Sequence, residues 1–200
     1  MELKEVLRNR RAVRDYSARP LSHATIQRLI DLAILAPSAF NRQPWAFAAL
    51  LDPVRIDSYA ERARQWLLAN AAEAELTPQA RAILEKEDFS MFHHAPALVV
   101  VMAEMSNAPD ATNAGSIVPS SVSQASEDCC LAAQNLMLAA RDEGIGTCWI
   151  GFSRPWLNLP SIKNELALPP GSQVVAPIVL GFPNVWPESH GRKPAEVRWL

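Results

Sequence analysis

Residues 122–152 read V-S-Q-A-S-E-D-C-C-L-A-A-Q-N-L-M-L-A-A-R-D-E-G-I-G-T-C-W-I-G-F, and the order of signals inside this stretch decides the architecture. Ala125, Cys129, Ala132, Leu136 and Ala140 recur at three- and four-residue intervals, which predicts a helix over about 122–143. From Cys129 to Ala140 the chain is apolar on most sides, so this helix belongs at the centre of the molecule. Gly144 suits a helix C-terminus, because glycine enters the left-handed region at little cost. Thr147 to Ile150 then reads as a short strand. Gly144-Ile145-Gly146 looks like the start of a dinucleotide fingerprint, but there the glycines follow a strand and open a helix. Here they follow a helix and precede a strand, and no glycine stands three residues after Gly146. A Rossmann-type site is excluded on that order.

Working outward, Glu2 to Asn9 predicts a short helix, followed by an extended segment through Tyr16. Ser22 caps a second helix in which Ile26, Leu29, Ile30, Ala33 and Ile34 share a face, and Pro37 ends it. Trp45 to Leu51 predicts a buried strand. Residues 54–90 read as charged helix, broken near Thr77-Pro78. Leu98 to Ala103 is a valine-rich strand. Ser106 to Ser121, with Pro109, Gly115 and Pro119, reads as a long loop of the kind that often carries function. Ser161 to Ala167 predicts a helix and Val174 to Leu180 a strand, where Pro177 hints at an edge or a bulge. Helices and strands in this order suit a layered α+β or α/β fold. No repeat or linker divides the chain, so residues 1–200 are expected to form a single domain.

The composition narrows the function. The 200 residues are 49% hydrophobic and 20% charged, with a formal net charge of -2. That is not the profile of a disordered chain, nor of a general nucleic-acid binder, which shows a basic excess. The longest apolar runs, Trp45–Leu51 and Ala97–Ala103, fall far short of the roughly 20 residues a membrane helix needs. The N-terminus has no apolar core of a secretory signal, and Glu2, Glu5 and Asp15 argue against a transit peptide. Three cysteines, two of them adjacent, make a poor disulfide framework and suggest a reducing compartment, the cytoplasm. Neither Cys129-Cys130 nor His93-His94 has metal-ligand spacing, so no metal is expected.

Four segments could carry chemistry. Arg10, Arg11 and Arg14 belong to a run in which six of the first nineteen residues are Lys or Arg, against the acidic trend of the whole. Such a cluster is either a solvated face or an anion site, and arginine's planar fork suits phosphate. A-P-S-A-F-N-R-Q-P-W at 36–45 packs Ser38, Asn41 and Gln43 into a turn stiffened by two prolines. It fits recognition of a heterocycle, or serves as an ordinary helix-to-strand turn. In the 144–152 segment Trp149 offers a stacking face and Gly151 a close backbone approach. Cys148 lacks a paired base and reads as core. Arg192 and Lys193 in G-R-K-P give a second basic point, either a solvated tail or the other half of a clamp.

Together these segments resemble the FMN-dependent nitroreductase family. The resemblance runs through R-R-A-V-R-D-Y at 10–16, the 36–45 turn, Q-N-L-M-L-A-A at 134–140, G-I-G-T-C-W-I-G-F at 144–152, V-L-G-F-P at 179–183 and G-R-K-P at 191–194. It implies an α+β, three-layer fold, with a mostly antiparallel central sheet wrapped by helices. It also implies a homodimer holding FMN at its interface, with a C-terminal extension over the partner. The flavin contacts it implies fall on Arg10, Arg11, Ala12 and Arg14, and on Trp149, Ile150 and Gly151. Arg192 and Lys193 complete the phosphate end. Pro37, Ser38 and Asn41, with Gln43 beside them, would come from the partner subunit. Many members carry serine at the position of Ala12, and several carry Asn and Lys where this chain has Asp88-Phe89-Ser90-Met91. The implied activity is two-electron transfer from NADH or NADPH to a small electron-poor acceptor, by a ping-pong hydride mechanism on the flavin. No side chain is required as acid, base or nucleophile, and Arg14 tunes the flavin. An FMN carrier, sensor or flavin-processing protein without NAD(P)H turnover is the alternative.

Overall fold

A computed structural model describes residues 1–72, 74–104, 122–169 and 171–200; the expected loop at 106–121 lies outside them. Four strands form one antiparallel sheet: β1 (Trp45–Leu50), β2 (Ala97–Ala103), β3 (Gly146–Trp149) and β4 (Gln173–Gly181), in the order β1-β2-β4-β3. The helices are α1 (Leu3–Asn9), α2 (His23–Ala33), α3 (Pro53–Ala69), α4 (Pro78–Leu84), α5 (Val122–Asp142), α6 (Arg154–Leu157) and α7 (Pro160–Glu165).

β2 is apolar at every position because it is buried on both sides, and the period-2 alternation divides it between two cores. Leu98, Val100 and Met102 face the layer holding α3 and α6, with Tyr59, Leu67 and Trp156. Ala97, Val99, Val101 and Ala103 face α2 and α5, with Leu29, Cys129 and Leu136. The result is helix, sheet, helix: the expected α+β three-layer arrangement.

β4 carries a bulge, since Val101 pairs with Ala176 while Met102 pairs with Val174. The extra residue, Val175, puts two successive side chains, Val175 and Ala176, into the α5-side core and reverses the alternation beyond it. The alternative expectation from Pro177, a sheet edge, is corrected: β4 is interior. Proline is tolerated there because β3 ends beside it. Ile150 donates its N–H to the Pro177 carbonyl at 2.8 Å. A residue's N–H and C=O point the same way in an antiparallel strand, so the missing N–H faces the end of β3, where the ladder stops.

The helix termini follow the side-chain chemistry. Ser22 Oγ accepts from the Thr25 N–H at 3.1 Å, and Asp52 Oδ1 from the N–H groups of Val54 and Arg55 at 3.0 and 3.2 Å. Thr77 Oγ1 accepts from the Ala80 N–H at 3.2 Å. Caps of this kind contribute about 1 kcal/mol each. Gly144, at φ +74°, ends α5 as expected. The helical reading of 54–90 holds only for α3 and α4; the chain from Glu85 to Pro96 turns rather than coils. Positive φ at His93 and His94 breaks any helix there.

Candidate functional site

The site begins with a notch in the sheet. Gly146 of β3 and Gly181 of β4 are directly paired. A Cβ on Gly146 would stand 2.6 Å from Val13 Cγ2, and one on Gly181 would stand 2.7 Å from Pro96 Cδ and 2.8 Å from Tyr16 Cδ1. Residues 12–17 lie in the room these two missing side chains leave. The segment is tied on both sides: Val13 donates its N–H to the Thr147 carbonyl at 3.0 Å, and Ser17 donates to the Phe182 carbonyl at 2.8 Å. Tyr16 pairs with Pro183, and its hydroxyl donates to the Val13 carbonyl at 2.6 Å. Burial pushes the Tyr16 hydroxyl pKa up, so it stays a neutral donor. With Val13 fully buried, extended geometry turns the next side chain, Arg14, the other way.

Arg14 faces a cleft of about 570 Å³ together with Cys148, Trp149, Ile150 and Gly151. The floor is rigid. Ile150 is held by its N–H on Pro177 and by its carbonyl, which accepts from Ser153 Oγ at 2.9 Å. Gly151 opens a 3-10 turn over Gly151–Ser153, and nothing lies within 4 Å of where its Cβ would be. A flat ring can therefore approach the backbone there. Burial raises the Cys148 thiol pKa despite Arg14, which keeps it protonated and a poor nucleophile.

Ile83, Phe89, Met91, His93 and Phe152 also line this cleft; of these, Phe89 and Met91 belong to the 88–91 stretch where several family members carry Asn and Lys, and Phe152 to the 144–152 segment. Burial, then the charge of Arg14 and the neighbouring His94, pulls the His93 pKa down to about 4. At neutral pH this imidazole is an uncharged group able to donate from one nitrogen and accept at the other. His93 and His94 both have left-handed backbone, φ 54° and 50°, a conformation uncommon outside glycine and found at functional sites. His94 Nδ1 is anchored on Asp57 Oδ1 at 3.0 Å. The only sequence signal was the His93-His94 pair, assessed there for metal binding. Among the described residues no group of three or more His, Cys, Asp or Glu is placed to hold a metal ion. No described helix is long and apolar enough to cross a membrane.

The remaining expected site residues lie elsewhere. Arg11 and Arg192 meet, with Arg8 and Gly191, in a separate depression of about 420 Å³. Arg10 is half-buried at the C-terminal end of α1, Ala12 pairs with Thr147, and Lys193 is exposed in the tail. Pro37, Ser38, Asn41 and Gln43 form a turn outside the cleft. Ser38 Oγ accepts from the Gln43 N–H at 2.9 Å, and Gln43 Nε2 donates to Asn41 Oδ1 at 3.0 Å. Phe40, Asn41 and Gln43 all have positive φ. The Ala39 N–H points at the Asp128 carboxylate of α5, 3.3 Å from each oxygen. Residues 187–200 are exposed throughout, Trp199 at 91%.

The nitroreductase family model matches residues 7–182. A "Putative NADH dehydrogenase/NAD(P)H nitroreductase" of Archaeoglobus fulgidus is 28% identical over 182 residues, 91% of this chain and 86% of that protein. A 5,6-dimethylbenzimidazole synthase of Rhodospirillum rubrum is 30% identical over 183 residues, 87% and 78% of the two chains. Among solved structures, a nitroreductase with bound FMN from Bacteroides fragilis superposes with a TM-score of 0.80 at 23% identity. It covers 100% of this chain and 99% of that one.

Proposed function

The chain belongs to the nitroreductase family, and from that premise we propose that it is an FMN-dependent oxidoreductase that takes electrons from NADH or NADPH. The observation that carries the reading is the glycine notch, which seats residues 12–17 so that Arg14 overlooks a rigid cleft floor at Ile150–Gly151. The residues fit the cofactor. The room beside Gly151 admits a flat heterocycle against the backbone, and Arg14 brings a permanent cation to it. Bound FMN would supply the two-electron chemistry, hydride in from the pyridine nucleotide and two electrons out to a nitroaromatic, quinone or enone in a ping-pong cycle.

The chain's own residues do the rest. With FMN bound, Arg14 would set a fixed positive charge in the cleft against the negative charge that reduction adds, so no reorganisation would be needed when that charge appears. The tied backbone at Ile150 keeps the floor from yielding when one ligand replaces another. Trp149 gives the cleft a flat apolar side. His93 lines the same cleft and offers a neutral hydrogen bond there. Arg10, Arg192 and Lys193 would hold the phosphate, with Arg8 and Arg11 adding positive charge beside Arg192. Pro37, Ser38 and Asn41 of one protomer would complete the site of the other in a homodimer, with the exposed tail laid over the partner. Three free thiols suit a cytoplasmic protein.

The test is anaerobic. The purified protein should be yellow, release FMN rather than FAD on acid treatment, and bleach on addition of NADH or NADPH. Colour should return with the acceptor. A protein that takes up no FMN, or that holds it without bleaching, refutes the reading. The Rhodospirillum relative favours one second reading, flavin processing. In that case flavin would be consumed and 5,6-dimethylbenzimidazole formed, in place of repeated reduction and reoxidation.

A further inference from the structure

A second hollow, about 390 Å³, adjoins the cleft and is lined in part by α4. The two share Ile83, Gly151 and Phe152. We propose that this hollow is a substrate subsite that takes the neutral or cationic apolar arm of an acceptor whose reducible ring lies beside Arg14. The inference rests on the oxidoreductase reading above.

Three observations support it. First, Ile83 and Phe152 stand at the seam with 41% of each side chain's residue exposed to water. Large apolar groups left wet where two hollows adjoin gain from a ligand that covers them. Second, Leu67, Ala74, Leu76, Ala80 and Pro155 make most of the hollow's wall apolar. Third, its polar residues are Glu75, Thr77 and Gln79, with no Lys or Arg among the described lining residues. Phosphates of a pyridine dinucleotide would meet Glu75 there with no cation to balance them, so the hollow does not suit the donor. Arg14 lines the cleft and Glu75 the hollow, so the sign of the charge changes from one to the other. The ligand that matches has an electron-poor or anionic head and an apolar tail that is neutral or carries a cation.

The experiment uses the FMN-loaded protein and a series of 2-alkyl-1,4-benzoquinones, from methyl to octyl. Dissociation constants are taken without NAD(P)H, from perturbation of the visible flavin band, and KM values with it. Both should fall by about fourfold per added methylene, the equivalent of ~0.8 kcal/mol, until the hollow is full. Gln79→Trp, at an exposed position lining the hollow but not the cleft, should abolish the chain-length gain and leave kcat/KM for the methyl quinone unchanged. Glu75→Lys should weaken a trimethylammonium-ended chain and strengthen a sulfonate-ended one. Dissociation constants that ignore chain length, or a gain that survives Gln79→Trp, overturn the proposal. If the constants fall with chain length while no quinone is reduced, the subsite stands and the oxidoreductase reading fails. Reduction with flat constants removes the subsite alone.

Discussion

Replacing Gly146 by alanine tests the notch directly. The new Cβ would lie 2.6, 2.8 and 2.9 Å from Cγ2, Cβ and Cγ1 of Val13, and Val13 is fully buried. The side chain cannot swing away, so the backbone of residues 12–14 must lift from β3. Overpacking of this kind costs about 1–3 kcal/mol. At roughly 2–4 °C per kcal/mol for a chain of this size, Tm should fall by about 2–12 °C. Lifting the segment also withdraws Arg14 from the cleft. Loss of one charge-assisted hydrogen bond, about 1.5–3 kcal/mol, weakens FMN binding roughly 10- to 150-fold. Gly144→Ala is the matched control. Gly144 sits at φ +74° with nothing within 4 Å of its Cβ position, so alanine there costs about 1–2 kcal/mol of strain without touching the segment. Thermal melts and titration of each apoprotein with FMN give the two readouts. Gly144→Ala should lose stability alone, Gly146→Ala both. If Gly146→Ala binds FMN as tightly as Gly144→Ala does, the notch does not position the flavin site and the reasoning fails.

Arg14→Ala should, besides weakening FMN binding, make the two-electron potential of the bound flavin more negative, by ~30 mV for each 1.4 kcal/mol lost, while Arg10→Ala should weaken FMN affinity alone; a redox titration of each variant separates the two. Deleting residues 187–200 should release FMN and halve the mass seen by light scattering, and a truncated form that stays dimeric and yellow contradicts the proposed role of the tail. His93, half-buried and neutral with its pKa lowered to about 4, is ordinarily half-protonated near 6.5 when unfolded. Between those values the unfolded chain binds more protons, so this residue's stabilising effect is full above pH ~6.5 and is lost as pH falls toward 4. With allowance for solvent screening of a partly exposed ring, the loss is about 1–2 kcal/mol. Urea titrations from pH 7 to pH 4 should show a shallower decline in His93→Gln than in the parent.

The parts of the fold that announced themselves did so through local rules. α5 was readable to within a residue at its C-terminus because its apolar stripe and Gly144 act within a few residues of one another. β2 was readable because a strand buried on both faces needs a continuous apolar run. Arg14, Trp149, Ile150 and Gly151 were expected at one site, and all four line the cleft. What local rules missed depends on distant chain segments. Gly146 was read only against a dinucleotide fingerprint, whereas its lack of a side chain serves Val13, more than 130 residues earlier. Of the two readings of Pro177, the bulge is present two residues earlier at Val175 and the edge is not, because tolerance of proline depended on where another strand happens to stop. His93 gave no usable signal, since its burial and left-handed backbone arise from the packing of turns around it. The arginine cluster looked like one clamp in sequence, but extended geometry sends Arg11 and Arg14 to different depressions.

The strand order also sets a hazard during synthesis. β4 is the last strand in chain order, yet it occupies the interior of the sheet between β2 and β3. Once β2 has left the ribosome, one of its edges waits for a partner encoded ~80 residues later, about 4–16 s at roughly 5–20 residues per second. For that interval an apolar strand stands with open N–H and C=O groups, the condition that favours pairing with a neighbouring nascent chain. Slow translation through 104–172 lengthens the exposure. The yield of folded protein should therefore depend on codon speed in that interval, although no residue of the mature molecule is changed.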